Sequence, residues 1–279
     1  MDIERILEEI ARYYTQYISP YIVADYQGQP FRRFDLSHLI VLGVTALLAL
    51  LIIFTRRNWD EDDRDALRET MAQILIINEL ISYLWLYFYQ GGEAVKVVYG
   101  IPLKLIPFNL LNFFAWVAAF MLLKKSKKLY EFAYFIGIPV SLYALIFPAV
   151  QIYGFPHYRF FYALITPAII FLSAIYITVA EEEMELEWQS LLRVFITTNV
   201  ILAIVYGINI YFGSNYFFLN AKPADQPLLN ALPDYPIYLL YLEGAAVVAA
   251  LLLYIPVLLR KWMRKRNLHA DTSRIDNFV

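Results

Sequence analysis

The sequence predicts an all-α fold: a polytopic membrane helix bundle of seven transmembrane helices with an N-terminal amphipathic helix. Three observations lead there. Hydrophobic residues fill 60% of 279 positions and charged residues only 17%, against about 45–50% and about 25% in soluble domains. The apolar residues gather into seven runs, each close to the ~20 residues that a helix needs to cross a hydrocarbon core of about 30 Å. Within each run they are continuous rather than alternating. That pattern selects helices over barrel strands, the two ways of satisfying a backbone inside lipid.

In chain order the spans are Leu36–Thr55, Met71–Gln90, Ile101–Leu123, Leu129–Gln151, Phe160–Ala180, Gln189–Phe212 and Pro236–Leu259. The chain therefore divides into an N-terminal interfacial arm (1–35), a seven-helix transmembrane domain (36–259) and a basic inner tail (260–279). In the arm, Ile3, Ile6, Leu7, Ile10, Tyr14 and Tyr17 recur at helical spacing, with Glu4, Glu8 and Glu9 on other faces. That is the pattern of a helix lying on a membrane surface or packing on the bundle. It is charged where a cleavable signal peptide would be apolar.

Lys and Arg set the orientation. With the N-terminus outside, the inner connections carry Arg56, Arg57, Arg64, Arg68, Lys124, Lys125, Lys127 and Lys128, and the tail adds Arg260, Lys261, Arg264, Lys265, Arg266 and Arg274. The outer connections carry fewer: Arg5, Arg12, Arg32, Arg33, Lys96, Arg159 and Lys222. The expectation is N-terminus outside and C-terminus cytoplasmic.

Several conspicuous segments read as ordinary membrane grammar. The acids Asp60, Glu61, Asp62, Asp63 and Asp65 lack the glycine and spaced glutamate of a calcium loop and suit a helix start. Glu181–Glu187 reads as a wet inner turn facing the Lys124–Lys128 cluster, and the basic tail suits anionic lipid. Tyr83, Trp85, Tyr87, Phe88 and Tyr89 read as an interfacial belt, ended by the helix stop Gly91-Gly92. A formal charge of −2 leaves no electrostatic footprint for nucleic acid. The chain has no cysteine, hence no disulfide, thiolate metal site or thiol nucleophile. No metal and no cofactor is expected.

Polar groups inside spans are functional candidates because each is costly unless paired or wetted. By depth, His38, Lys104, His157, Arg159, Asn209, Asn215, Tyr216 and Lys222 fall toward the outer side, with Glu243 about two turns into the last span. They suggest a cavity facing outward. Glu79 lies mid-span and needs a cation, a donor or a proton; Lys104 and Glu243 are closer in depth and are expected to pair. Arg193 is near enough the inner surface to snorkel. Asn78, Asn109, Asn112, Thr197, Thr198 and Asn199 are expected to hydrogen-bond between helices. Pro102, Pro107, Pro139, Pro148 and Pro167 are expected to kink three spans.

Three outer segments go further. They are Gly154-Phe155-Pro156-His157-Tyr158-Arg159-Phe160, the stretch from Gly213 through Asn215-Tyr216 to Lys222-Pro223, and Leu232-Pro233-Asp234-Tyr235-Pro236. With them the chain resembles the YwaF-like integral membrane proteins, a wider family that includes the eukaryotic transmembrane protein 164 phospholipid acyltransferase. The resemblance runs from about His38 to the last span. It implies a seven-helix bundle in a bacterial plasma membrane, with phospholipids as partners; protein partners stay unidentified. In relatives the third span opens with a histidine and a cysteine and the fifth carries a histidine. Here those positions align with Lys104, Ile106 and Pro167, so a thioester mechanism is absent.

The expected function is binding of a phospholipid or lysophospholipid in the outward cavity, with Lys104, Arg159, Asn215, Tyr216 and Lys222 at the headgroup and Glu79 and Glu243 as intramembrane charges. Two alternatives stay open. A cysteine-independent acyltransferase would use His38, or else His157, as its base and Lys104 or Arg159 to stabilise an oxyanion. A small-solute carrier would use Glu79, Lys104 and Glu243.

Overall fold

The computed structural model describes residues 3–89, 97–98, 101–102, 109–181, 184–223 and 226–275. Its elements are α1 (Ile3–Tyr13), α2 (Leu36–Thr55), α3 (Glu61–Tyr89), a two-residue antiparallel ladder of β1 (Val97–Val98) with β2 (Ile101–Pro102), α4 (Leu110–Lys124), α5 (Lys127–Ile146), α6 (Tyr158–Ala180), α7 (Trp188–Phe212), α8 (Pro227–Asn230) and α9 (Ile237–Ile275). Among the described residues six helices, within α2, α3, α5, α6, α7 and α9, are long and apolar enough to cross a membrane. The 15-residue α4 is shorter.

Local chemistry explains most boundaries. Asp35 caps α2, its carboxylate accepting the His38 N–H at 2.9 Å and the Ser37 hydroxyl at 2.8 Å. Asp60 accepts the Asp63 N–H at 2.8 Å and starts α3, whose first turn holds Glu61, Asp62 and Asp63. The acidic run is thus a helix start, and α3 begins ten residues ahead of the expected Met71. The third span is corrected more. Residues 101–102 pair with 97–98 as strand, and the described helix is Leu110–Lys124. Glu187 and Ser190 form a reciprocal capping box on α7. Gly213, at φ 60°, ends α7 in the left-handed conformation that glycine adopts without strain. In α5 a π-helical turn, Ala133–Gly137, precedes Pro139, whose missing N–H breaks the ladder there.

Helix α6 is the axle of the bundle. It packs on α2, α3, α4 and α5, and its buried residues surround it rather than forming one stripe. Its neighbours bury stripes at the spacing of a helix seam: His38, Thr45, Ala49 and Ile52 on α2, and Met71, Leu75, Glu79, Ser82 and Trp85 on α3. Helices α7 and α9 are peripheral, with few buried residues. Arg193 of α7 is tied to the buried Glu131 of α5 at 2.5 and 2.9 Å, and Ser190 donates to the same carboxylate at 2.8 Å. Arg193 therefore pairs across helices rather than snorkelling alone. At the same end Lys125 reaches Asp65 (3.2 Å) and Glu181 (3.7 Å), Lys127 reaches Glu187, and Arg264 reaches Glu185. The acidic turn does face the lysine cluster.

Candidate functional site

The opposite end of the bundle carries most of the candidate residues. The chain leaves α1 through turns at Tyr14–Ile18 and Ser19–Tyr21 and crosses this end before Asp35. Three successive carbonyls of that crossing are taken by side chains of the bundle. Trp85 Nε1 donates to Ile22 at 2.5 Å, His157 Nε2 to Val23 at 3.0 Å, and the Tyr153 hydroxyl to Ala24 at 3.1 Å. Gly154 permits the close approach, since a Cβ there would lie 2.2 Å from the Gln29 carbonyl oxygen.

Both candidate bases are fully buried and similarly bound. His38 Nδ1 accepts the Phe34 N–H at 3.0 Å, and His157 Nδ1 accepts the Arg159 N–H at 3.0 Å, capping α6. A backbone N–H can only donate, so each Nδ1 is bare and each Nε2 carries the proton. Those protons are spent on carbonyls, Leu145 for His38 (2.8 Å) and Val23 for His157. Neither ring keeps a free nitrogen, so the geometry gives the two histidines a fastening role and lends a base role no support.

Just below, α3, α4 and α6 enclose a polar cluster. Glu79 is 1% exposed. Its carboxylate accepts the Asn112 amide at 2.6 Å and the Tyr162 hydroxyl at 3.0 Å, and Asn112 also reaches the Tyr162 hydroxyl at 2.8 Å. Asn78 donates to Thr166 at 2.7 Å. Of the requirements set for a mid-membrane carboxyl, donors are met directly. Above the cluster the Arg159 guanidinium lies 5.0 Å from the ring centres of both Trp85 and Tyr162, with one nitrogen 3.5 Å from the Ser82 hydroxyl. No carboxylate bridges Arg159 among the described residues. Beside it Tyr158 buries a hydroxyl that completes no hydrogen bond.

The remaining candidates form a separate group. Asn209 is fully buried; its amide donates to the Tyr216 carbonyl, while its oxygen accepts the Tyr216 N–H and the Ser214 hydroxyl. Asn215 folds the next turn by accepting from Asn220 and Ala221 and donating to the Ala221 carbonyl. Lys222 is spent on the Leu232 carbonyl at 2.9 Å and on Asp234 at 3.0 Å. These three residues build a loop, and none bonds Arg159. Glu243 makes no hydrogen bond or ion pair among the described residues. Lys104, its expected partner, and Gly91-Gly92 lie outside the described residues.

Sequence reasoning missed Ser82, Tyr158 and Tyr162 as parts of the Arg159 site. It took Trp85 only for an interfacial belt and Asn112 only for a helix fastener. The usable signal was the α3 stripe, since Ser82 and Trp85 follow Glu79 at spacings of three. Among the interhelical expectations, Asn78 and Asn112 do bridge helices. Asn199 instead bonds the Phe195 carbonyl of its own helix, and Thr198 buries an unpartnered hydroxyl.

A family model described as the TMEM164 family matches residues 33–254. No curated protein and no solved structure matches the chain. The matched region runs from just before α2 into α9 and contains Arg159, Glu79 and both buried histidines. This chain, an integral membrane protein of several apolar helices, belongs to the TMEM164 family.

Proposed function

We propose that the chain binds a phospholipid or lysophospholipid within the membrane and holds the headgroup phosphate on Arg159. One observation carries the reading: an arginine at the end of a membrane bundle, walled by Trp85 and Tyr162 and unbridged by any carboxylate among the described residues. A guanidinium has five donors in a planar fork suited to phosphate, and Ser82 occupies one of them at the long distance of 3.5 Å. Arg159 also sits in the first turn of α6, where the helix end is itself partly positive. An anion there offsets both charges. Glu79 has both oxygens engaged, so its role is to hold Tyr162 and Asn112 as a wall.

Binding is favoured over catalysis because both histidine rings are fully engaged and no cysteine is present. In this reading α4 is the seventh span. At about 1.5 Å per residue its 15 residues cover most of the core. Helix α1 lies in the interface with Ile3, Leu7 and Ile10, all exposed, in lipid. The Arg159 end faces outward and the basic tail inward.

The test is retention of a lysophospholipid by protein in nanodiscs, titrated and read by native mass spectrometry. Arg159→Gln weakens binding about tenfold or more, the worth of a charge-assisted hydrogen bond of about 1.5–3 kcal/mol. Lys222→Ala leaves it unchanged because that ammonium is already committed. Equal affinity in wild type and Arg159→Gln, or no retained lipid, overturns the proposal.

A further inference from the structure

Residues 19–30 cross the Arg159 end of the bundle and are fastened there by the groups that build the site. Trp85 stacks on Arg159 and donates to Ile22; His157 accepts the Arg159 N–H and donates to Val23. Farther along, the segment is anchored independently, with Phe34 N–H on His38 and His38 on Leu145. One end is thus pinned by a staple within α2, and the other is held by a ring that also caps α6.

We propose that this segment is a strap over the Arg159 site, closed while His157 is neutral and released when the ring takes a second proton. Closure requires a bare Nδ1 to accept the Arg159 N–H. Protonation turns that acceptor into a donor, so two N–H groups face each other and the α6 cap is lost. It also places a full positive charge at the helix N-terminus and beside the Arg159 guanidinium. The ring must then turn or leave, and the Val23 bond goes with it. Other groups facing the ring are Tyr153, stacked at 4.5 Å, Tyr26 of the strap at 4.9 Å and Trp85 of α3 at 6.2 Å. Asp25, the strap's nearby carboxylate, accepts from the Gln27 amide at 2.8 Å. Among the described residues no ion pair gives the ring an anion that would hold it closed when charged.

Burial, partly offset by the Val23 hydrogen bond and reinforced by the Arg159 charge, holds the His157 pKa below its ordinary value of 6.5. The sign follows. The strap is fully held above about pH 6.5, where His157 would be neutral even in an unfolded chain, and loses that support as pH falls through the depressed folded-state value.

The chain holds three histidines, so ring 15N spectra of the selectively labelled full-length protein in bilayers resolve them. At pH 8 the His157 signal is that of the Nε2–H tautomer. On acidification it becomes doubly protonated, and hydrogen exchange in residues 22–26, corrected for the intrinsic effect of pH, rises about tenfold, the scale of one or two hydrogen bonds. In His157→Asn the shorter amide can cap α6 but cannot titrate, and the exchange becomes independent of pH. Tyr153→Phe removes the Ala24 anchor and raises exchange at every pH while keeping the acid response. Strap exchange in wild type unchanged from pH 8 to 5, the other tautomer at pH 8, or a persisting acid response in His157→Asn overturns the strap. The consequence for lipid access rests on the phosphate reading. If the strap opens but Arg159→Gln leaves lipid retention unchanged, the lipid reading fails and the strap stands.

Discussion

Glu79 and Arg159 occupy the same cluster but are handled differently. The carboxylate is enclosed, and each oxygen accepts a hydrogen bond. The guanidinium is stacked on aromatic faces with most of its donors idle. Buried polar groups left unpaired cost about 1–3 kcal/mol, so the paired carboxylate stabilises the cluster, while the half-buried guanidinium is the group proposed to take an anion. Glu79→Gln keeps the shape but turns an NH2 toward a donor, and is expected to destabilise by about that amount. At about 2–4 °C per kcal/mol for chains near this size, circular dichroism in detergent detects the fall in Tm. An unchanged Tm means the carboxylate does not anchor the cluster. The sequence located Glu79, His38 and Arg159 by depth, because depth follows from counting residues along a helix. Their partners were hidden, since Asn112 and Tyr162 lie 33 and 83 residues from Glu79 and nothing local encodes that meeting.

At the scale of elements, apolar runs placed six helices well, and capping chemistry moved their ends. The start of α3 was misplaced because its first turns are charged and extend beyond the apolar run. The third span differs at its start, where Ile101 and Pro102 pair as strand with Val97 and Val98 although hydropathy alone reads them as part of a continuous run. The Gly213–Pro223 segment was legible as a special motif, but its role was not. Asn209 at the end of α7 grips Ser214 and both backbone groups of Tyr216, so the segment is a folded loop. Asn209→Ala should cost about 1–3 kcal/mol of local stability. Faster hydrogen exchange confined to residues 214–221 is the expected signature; exchange like that of wild type contradicts the loop assignment. Helix α7 depends on a different fastening, the Glu131–Arg193 pair. Arg193→Lys, which cannot reproduce the two-pronged contact, should lower Tm less than Arg193→Ala, in the same thermal scans. Equal falls would mean that the retained positive charge contributes nothing and that the fork geometry alone holds the helix.

For the whole molecule, composition and span counting led directly to a membrane bundle, and the family match agrees with it. Two ends of opposite character emerge. One is a lattice of Lys, Arg, Asp and Glu joining α3, α5, α7 and α9. The other is an end rich in aromatic rings, where His157 and Trp85 fasten the crossing segment beside Arg159. Reporter fusions in the 154–159 turn and after residue 266 should report opposite sides, with the turn outside. The reverse would place the Arg159 site in the inner leaflet and leave its chemistry intact.

The most direct test of the central claim is a distance. Protein with 15N-labelled arginine, reconstituted with a lysophospholipid, can be probed by 31P–15N dipolar recoupling in the solid state. A phosphorus held by the guanidinium fork lies about 4 Å from its nitrogens, from the geometry of a charge-assisted hydrogen bond, and that signal should vanish in Arg159→Gln. No such coupling in wild type, or the same coupling in the variant, would contradict the assignment of Arg159 as the phosphate anchor.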